Sequence, residues 1–241
     1  LYIGDIMKKV FGLLVLTSVF YLFGAITVHY KLFPFQQILE LKNYINKSPV
    51  LQNPHYVDRT SQFNILSSSN KNFKVVMIGD SITSGGEWHE LLDYSLVQNR
   101  GIGSDTTNGV LNRLDSINGN IEKSFIMIGI NDIAMGKSIN EIYDNYSKII
   151  DQLNSRNIEV FIQSVLYVAK KYPNSKEINS KVLELNNRLI ELANDKNIKF
   201  IELNLILSED KFLKEKYQND GIHLNGEAYQ LWANEIKTFV K

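Results

Sequence analysis

The chain has no cysteine among its 241 residues, which excludes disulfide bridges and thiolate-held metals and leaves its redox compartment unmarked. Histidine is scarce. The four residues His29, His55, His89 and His223 include no pair at metal-ligand spacing, which argues against a zinc site built mainly from imidazoles. There is no net charge either: 26 Lys and Arg balance 26 Asp and Glu, so composition offers no basic surface for nucleic acid. Nucleotide-binding glycine patterns are missing as well. Gly101-x-Gly103 has Thr106 where a dinucleotide fingerprint needs its third glycine, and no Gly-Lys-Ser/Thr of a phosphate-binding loop occurs. No internal repeat is visible. A chain of this length can bury one good core, so one domain with an appendage is expected.

The longest uncharged stretch lies near the N-terminus. Val10 to Val28 runs 19 residues without a charge, enough to cross a hydrocarbon layer roughly 30 Å thick as a helix. Phe23 occupies the outer small position of any cleavage site around Gly24-Ala25, so an uncleaved anchor is expected in place of a removed signal. Lys8 and Lys9 before the span outnumber Lys31 after it, which keeps residues 1–9 cytoplasmic, places the span at 10–30 and exports the rest. Residues 31–72 read as a juxtamembrane linker. They have a ragged amphipathic pattern at Phe35, Ile38, Leu39, Leu41 and Ile45, and then Pro, Asn, Ser and Gln dominate as far as Ser67-Ser68-Ser69-Asn70. The folded domain is expected over 73–241.

Within that domain, apolar runs of strand composition alternate with helical stripes. Strands are expected at Lys74 to Gly79, Ser95 to Arg100, Ser124 to Gly129, Ile158 to Val165 and Lys199 to Leu203. Between them, Ile139, Ile142, Tyr146, Ile149 and Leu153 mark one amphipathic helix, and Ile178, Val182, Leu185, Leu189 and Leu192 another; Gly226 to Phe239 closes the chain as a third. Near-continuous apolar strands separated by such helices point to a parallel sheet covered on both faces. Ligands bind such sheets along the edge formed by the strands' C-terminal ends.

The residues just past each strand therefore carry the most information. Val75 to Ile78 breaks at Gly79-Asp80-Ser81 before a helical stretch, which puts the Ser81 hydroxyl at that edge beside unpaired helix N–H groups. The second strand leads to Gly101-Ile102-Gly103-Ser104-Asp105 and the third to Gly129-Ile130-Asn131-Asp132, while Asp220-Gly221-Ile222-His223 precedes the last helix. Serine needs a base to take its proton, and the base works best when a third group fixes its tautomer. Asp220 can hold one nitrogen of His223 and leave the other for Ser81. Charge developing on an ester oxygen needs donors in place beforehand. The Ser81 N–H, an N–H from the Gly103-Ser104 loop and the Asn131 amide can supply them. Asp80 and Asp132 are expected to hold loops, His89 to sit on the surface or in the core, and Trp88, Tyr167 and Tyr172 to line an acyl or sugar site. Gly79-x-Ser81 has Thr83 where an α/β-hydrolase elbow has glycine.

These four blocks, in this order, resemble those of the GDSL or SGNH hydrolases over about residues 73 to 241. The resemblance implies a flavodoxin-like, three-layer α/β/α fold with a mainly parallel five-stranded sheet, and hydrolysis of carboxylic esters or thioesters with no metal or cofactor. It implies Ser81 as nucleophile, His223 as base, Asp220 as its orienting acid and Asn131 as an oxyanion donor. One departure stands out. In many relatives the oxyanion glycine directly precedes the Asp-Thr pair; here Ser104 does, with Gly103 one earlier, which puts the local backbone angle in question.

The expected protein is a membrane-anchored, extracytoplasmic serine esterase acting on an acyl ester or an acylated carbohydrate of the cell envelope. Lysophospholipid or thioester hydrolysis, acyl transfer to a sugar hydroxyl, and a catalytically silent carbohydrate-binding module are the rival readings.

Overall fold

The uninterrupted apolar run from Val75 becomes strand β1 (Val75–Gly79), all of it buried, as a strand covered on both faces must be. It pairs in parallel with β2 (Val97–Gly101) and β3 (Lys123–Met127), and β4 (Glu159–Gln163) and β5 (Lys199–Ile201) extend the sheet in the order β2-β1-β3-β4-β5. The computed structural model from which this is read describes residues 15–25, 29, 49–67, 72–117 and 119–240. All five expected strands form, with ends displaced by up to two residues.

Nine helices of the described residues 49–240 surround the sheet: α1 (Pro54–Ser67), α2 (Ser81–Ser84), α3 (Trp88–Leu91), α4 (Thr107–Asn112), α5 (Ile130–Ala134), α6 (Ile139–Asn154), α7 (Ser175–Asp195), α8 (Asn204–Leu207) and α9 (Gly226–Val240). The chain leaves β1 toward β2 and then reverses direction across the sheet. Right-handed crossovers therefore place α3 on one face and α4, α6 and α7 on the other. The stripes read from sequence explain the cover: Ile142, Tyr146, Ile149 and Leu153 of α6 and Val182, Leu185 and Leu189 of α7 are fully buried. On the opposite face α9 buries Ala228, Trp232 and Ile236, and the Trp232 ring meets Trp88 edge-on at 4.6 Å. A two-residue antiparallel pair, β6 (Ser208–Glu209) with β7 (Phe212–Leu213), was not expected. It is too short to leave a periodicity in the sequence.

The direction of travel reverses between β1 and β3. Such a reversal at the C-terminal strand ends is where open parallel sheets bind ligands, and Ser81 and Asn131 follow those two strands.

Two compact units divide the chain, residues 1–47 and 48–241. The second begins well before the expected boundary at 73, because residues 49–67 are not an irregular linker. Asn53 caps α1 by accepting the N–H of His55 at 2.9 Å, and Pro54 occupies the first helical position, where a missing N–H costs nothing. Tyr56 and Phe63, two turns apart on one face, are buried with Val50 and Ile102 in a small cluster of their own. The Tyr56 hydroxyl donates to the Gly109 carbonyl at 2.7 Å, and the Phe63 ring lies under the guanidinium groups of Arg100 and Arg113 at 4.7 and 5.8 Å.

In the first unit residues 15–25 are helical. Among the described residues no helix is long and apolar enough to cross a membrane. Apart from residues 15–25 and His29, the expected span at 10–30 lies outside the described residues, as do the expected cytoplasmic residues 1–9 and the stretch from Phe35 to Lys47.

Candidate active site

Ser81 is the first residue of the one-turn helix α2, and the turn is fixed from both sides. Asp80 caps it, accepting the Ile82 N–H at 2.9 Å. Gly79 is obligatory at the strand end, since a Cβ there would lie 2.1 Å from the Thr83 hydroxyl and 2.3 Å from the Met127 carbonyl. From α9, the Tyr229 hydroxyl donates to the Ile82 carbonyl at 2.7 Å and braces the turn. The helical stretch expected after the Gly79-Asp80-Ser81 break thus starts at Ser81 itself and ends within a turn.

The loop before α9 brings the second group. Asp220 Oδ1 accepts the N–H groups of Ile222 and His223 at 3.1 and 2.9 Å, and Oδ2 lies 2.6 Å from His223 Nδ1. His223 Nε2 stands 2.9 Å from Ser81 Oγ, across 142 positions of sequence. Partial burial pushes the Asp220 carboxyl up, but the His223 ring and the two backbone donors outweigh it and hold the group well below the ordinary carboxylate range. Asp220 is therefore an ionised acceptor. Nδ1 must carry the imidazole proton, and the Nε2 lone pair faces the serine hydroxyl. Asn225 also caps α9, accepting the Ala228 N–H at 3.1 Å, so the turn and the cap coexist with the Asp-His pair.

The third part lies after β2 and β3. Ser104 has φ of 61°, in the left-handed region that favours glycine, which answers the question its position raised: the backbone takes the glycine-like angle with a serine in place. Among the described residues the N–H groups of Ser81, Gly103 and Ser104 have no protein acceptor. Asn131 Nδ2 donates to the Asp105 carbonyl at 2.9 Å, which orients its amide and leaves its second N–H for another acceptor. The Asp105 side chain is in turn held by Arg113, whose Nε donates at 2.8 Å in a fully buried pair and whose Nη2 reaches the Gly79 carbonyl at 3.1 Å. Burial pushes the Asp105 carboxyl up against the counter-pull of Arg113. Nothing in the sequence singled out Arg113 as the tie between the Asn131 support and the Ser81 strand.

Asp80 and Asp132 hold loops. Burial raises the Asp80 carboxyl to about 7, opposed by its bond to Ile82 and reinforced by the charges of Asp105 and Asp132. Asp132 accepts the Thr107 N–H at 2.9 Å and hydroxyl at 2.7 Å, and burial raises it to about 6. His89 is exposed on α3 beside Glu90. The expectation for Trp88 does not hold: it is 1% exposed in the core, with its indole N–H on the Thr83 carbonyl, and lines no cleft. Tyr167 is buried, while Tyr172 packs against Gly221 in the His223 loop. One neighbour escaped the sequence altogether. His55 of α1 leans on Gly103, where an added Cβ would be 3.3 Å from its Nε2. Among the described residues no group of three His, Cys, Asp or Glu could hold a metal.

The GDSL-like Lipase/Acylhydrolase family matches residues 77–231. N-acylneuraminate cytidylyltransferases of Streptococcus agalactiae serotypes V and III are 27% identical over 177 residues, which is 70% of this chain and 41% of theirs. The chain thus spans about two fifths of the length of these curated relatives. A solved structure from Streptococcus pneumonia, provisionally assigned as a platelet activating factor, is 26% identical with a TM-score of 0.72 and covers 86% of this chain and 99% of its own. A GDSL-like lipase from Bacteroides thetaiotaomicron (24%, TM-score 0.65, 77% and 96% covered) and an acetyl xylan esterase (21%, TM-score 0.58, 70% and 100% covered) share the fold.

Proposed function

The chain belongs to the GDSL-like lipase/acylhydrolase family, and on that premise we propose that it is an ester-hydrolysing enzyme in which Ser81, His223 and Asp220 act on a short acyl ester of a cell-envelope carbohydrate. The observation that carries the mechanism is the unbroken line from Asp220 through His223 to Ser81, at 2.6 and 2.9 Å. Ser81 Oγ attacks the ester carbonyl while Nε2 takes its proton. The carbonyl electron pair moves to oxygen, where the N–H groups of Ser81 and the Gly103-Ser104 loop and the Asn131 amide receive it. Collapse of this intermediate breaks the bond to the alcohol, which leaves with the proton from Nε2, and water repeats the sequence to free the acid and Ser81. Asp220 stabilises the imidazolium formed in each half.

Support for a sugar-borne substrate comes from the curated relatives, whose name carries an N-acylated sugar, an amide, and a fold neighbour is named for an acetyl ester of a carbohydrate, xylan. A lipid ester is the second reading, favoured by the assignment of the Streptococcus pneumonia protein. The uncharged run from Val10 to Val28 supports a membrane anchor with the enzyme outside the cytoplasm. Turnover of p-nitrophenyl acetate, lost in Ser81→Ala and His223→Ala, tests the mechanism. Acetyl against octanoyl esters separates the substrate readings, an added sugar acceptor reveals transfer, and a reporter after Lys241 that works in the cytoplasm would refute the topology.

A further inference from the structure

The loop that carries Gly103 and Ser104 does not hold its own shape. The Asp105 N–H donates to the Ile102 carbonyl at 3.2 Å and closes a tight turn over Gly103 and Ser104. Ser104, with φ of 61°, stands at the place where such a turn takes glycine or asparagine, so a serine there strains the backbone. A strained residue persists only where its surroundings over-determine it.

Helix α1 supplies those surroundings, although it lies outside the family match at residues 77–231. Both of its buried side chains, Tyr56 and Phe63, cluster with Ile102 at the head of the turn. The Tyr56 hydroxyl donates to the Gly109 carbonyl at 2.7 Å in α4. Gly109 is pressed between that ring and Asp105: a Cβ there would lie 1.8 Å from Asp105 Oδ1 and 3.3 Å from Tyr56 Cε2. Burial and the Asp105 charge push the Tyr56 hydroxyl up against the pull of Arg113, so it stays a donor. Phe63 acts on the other side of the same carboxylate. Its ring lies 4.7 and 5.8 Å from the guanidinium carbons of Arg100 and Arg113. Arg113 Nη1 has no hydrogen-bond partner among the described residues, which makes the ring a principal partner of this buried cation beside Asp105 and the Gly79 carbonyl. Asp105 joins the two contacts. Its carboxylate takes Arg113, its N–H closes the turn, and its carbonyl orients the Asn131 amide at 2.9 Å.

We propose that Tyr56 and Phe63 are positioning residues for the hydrolysis: from α1 they clamp Asp105 and the turn before it, and so aim the loop N–H groups and the Asn131 amide at the oxygen that takes up charge. This rests on the esterase mechanism above and adds the element that prepares its oxyanion site. Both side chains are buried and act without touching substrate.

The test uses the full chain and its Tyr56→Phe, Phe63→Leu and Ser81→Ala variants, each checked for fold by circular dichroism. Tyr56→Phe keeps the ring and removes the donor; Phe63→Leu keeps an apolar side chain and removes the aromatic face. The oxyanion site is read by kcat and KM for p-nitrophenyl acetate and by the Ki of a trifluoromethyl ketone. Ser81 Oγ adds to that carbonyl carbon, its proton passes to His223, and the carbonyl electron pair stays on oxygen among the donors. Loss of a whole donor costs about a hundredfold, so a loosened site is expected to lower kcat roughly tenfold in each variant. KM should stay within about twofold and Ki should rise by the same factor as kcat falls. A merely structural role would lower the urea midpoint and leave kcat and Ki at their wild-type values, and that result overturns the proposal. A change confined to KM overturns it as well. Should Phe63→Leu fail to fold, Tyr56→Phe decides alone. A wild-type chain inert to the ester, or Ser81→Ala as active as wild type, overturns the esterase mechanism itself, whereas active wild type with kcat and Ki unchanged in Tyr56→Phe overturns only the role of α1.

Discussion

Replacing Asp80 by asparagine should flatten the pH dependence of stability. Asp80 is 1% exposed beneath the catalytic turn, and burial raises its carboxyl from 3.8 to about 7, with Asp105 and Asp132 as like charges nearby. A carboxyl with a raised folded pKa binds its proton more tightly folded than unfolded. Its contribution is therefore full below the unfolded value and is lost as pH rises through about 7. One pKa unit corresponds to about 1.4 kcal/mol, so this group alone removes on the order of 4 kcal/mol between pH 4 and pH 8. Asp220 acts in the opposite sense, because its lowered carboxyl stabilises the fold above the ordinary carboxylate pKa and loses that contribution only as pH falls further. It adds no slope in the window above about pH 5. Asparagine keeps the oxygen that accepts the Ile82 N–H and caps as well as aspartate, but does not titrate. Urea unfolding at pH 5, 6, 7 and 8 reads the difference. With a slope of about 2 kcal/mol per molar, the wild-type midpoint should fall by on the order of 1–2 M across the series. The Asp80→Asn midpoint should fall by clearly less, with the remainder set by the other raised carboxyls, Asp132 and Asp105. Parallel curves for the two proteins would refute the reasoning.

Three other outcomes rest on the same contacts. Asn131→Ala removes one oxyanion donor while sparing the Ser81-His223 pair, so kcat should fall by about a hundredfold or more with KM little changed in steady-state assays. Asp220→Asn gives the His223 ring an amide in place of an ionised acceptor, which frees it to take the wrong tautomer; kcat should drop by on the order of 10⁴-fold, with the fold intact by circular dichroism. Phe63→Ala empties the centre of the small cluster that holds α1, at a cost of about 3–5 kcal/mol. Amide hydrogen exchange should then show residues 54–67 losing protection ahead of the sheet.

How much of this was legible in the sequence depended on how strongly each element imprints a period. The strands around Val75, Phe125 and Ile162 are buried on both faces and so read as apolar runs, and α6 and α7 show full stripes because each packs along its whole length. Ser81, Asn131, Asp220 and His223 were singled out because each follows a strand or precedes a helix at the same edge, and the structure brings Asp220, His223 and Ser81 within hydrogen-bond reach. The α1 helix was misread because Tyr56 and Phe63 are its only buried residues, too few to mark a stripe amid polar neighbours. The Asn53-Pro54 pair, a cap followed by a first-position proline, was the available signal. His55 could not have been placed beside Gly103 without that helix. The Asp105-Arg113 pair depends on side chains eight positions apart meeting in a fully buried setting, which no local pattern announces. Trp88 was misassigned because an aromatic near the nucleophile in sequence points back into the core from a one-turn helix.

The most direct test of the central claim is covalent trapping. The purified chain is treated with a serine-directed fluorophosphonate, and the adduct is located by peptide mass spectrometry while turnover of p-nitrophenyl acetate is followed in the same sample. One adduct on Ser81, formed in step with loss of turnover and strongly slowed in His223→Ala, is the expected result. An adduct on another residue, or labelling of Ser81 at the same rate without His223, would contradict it.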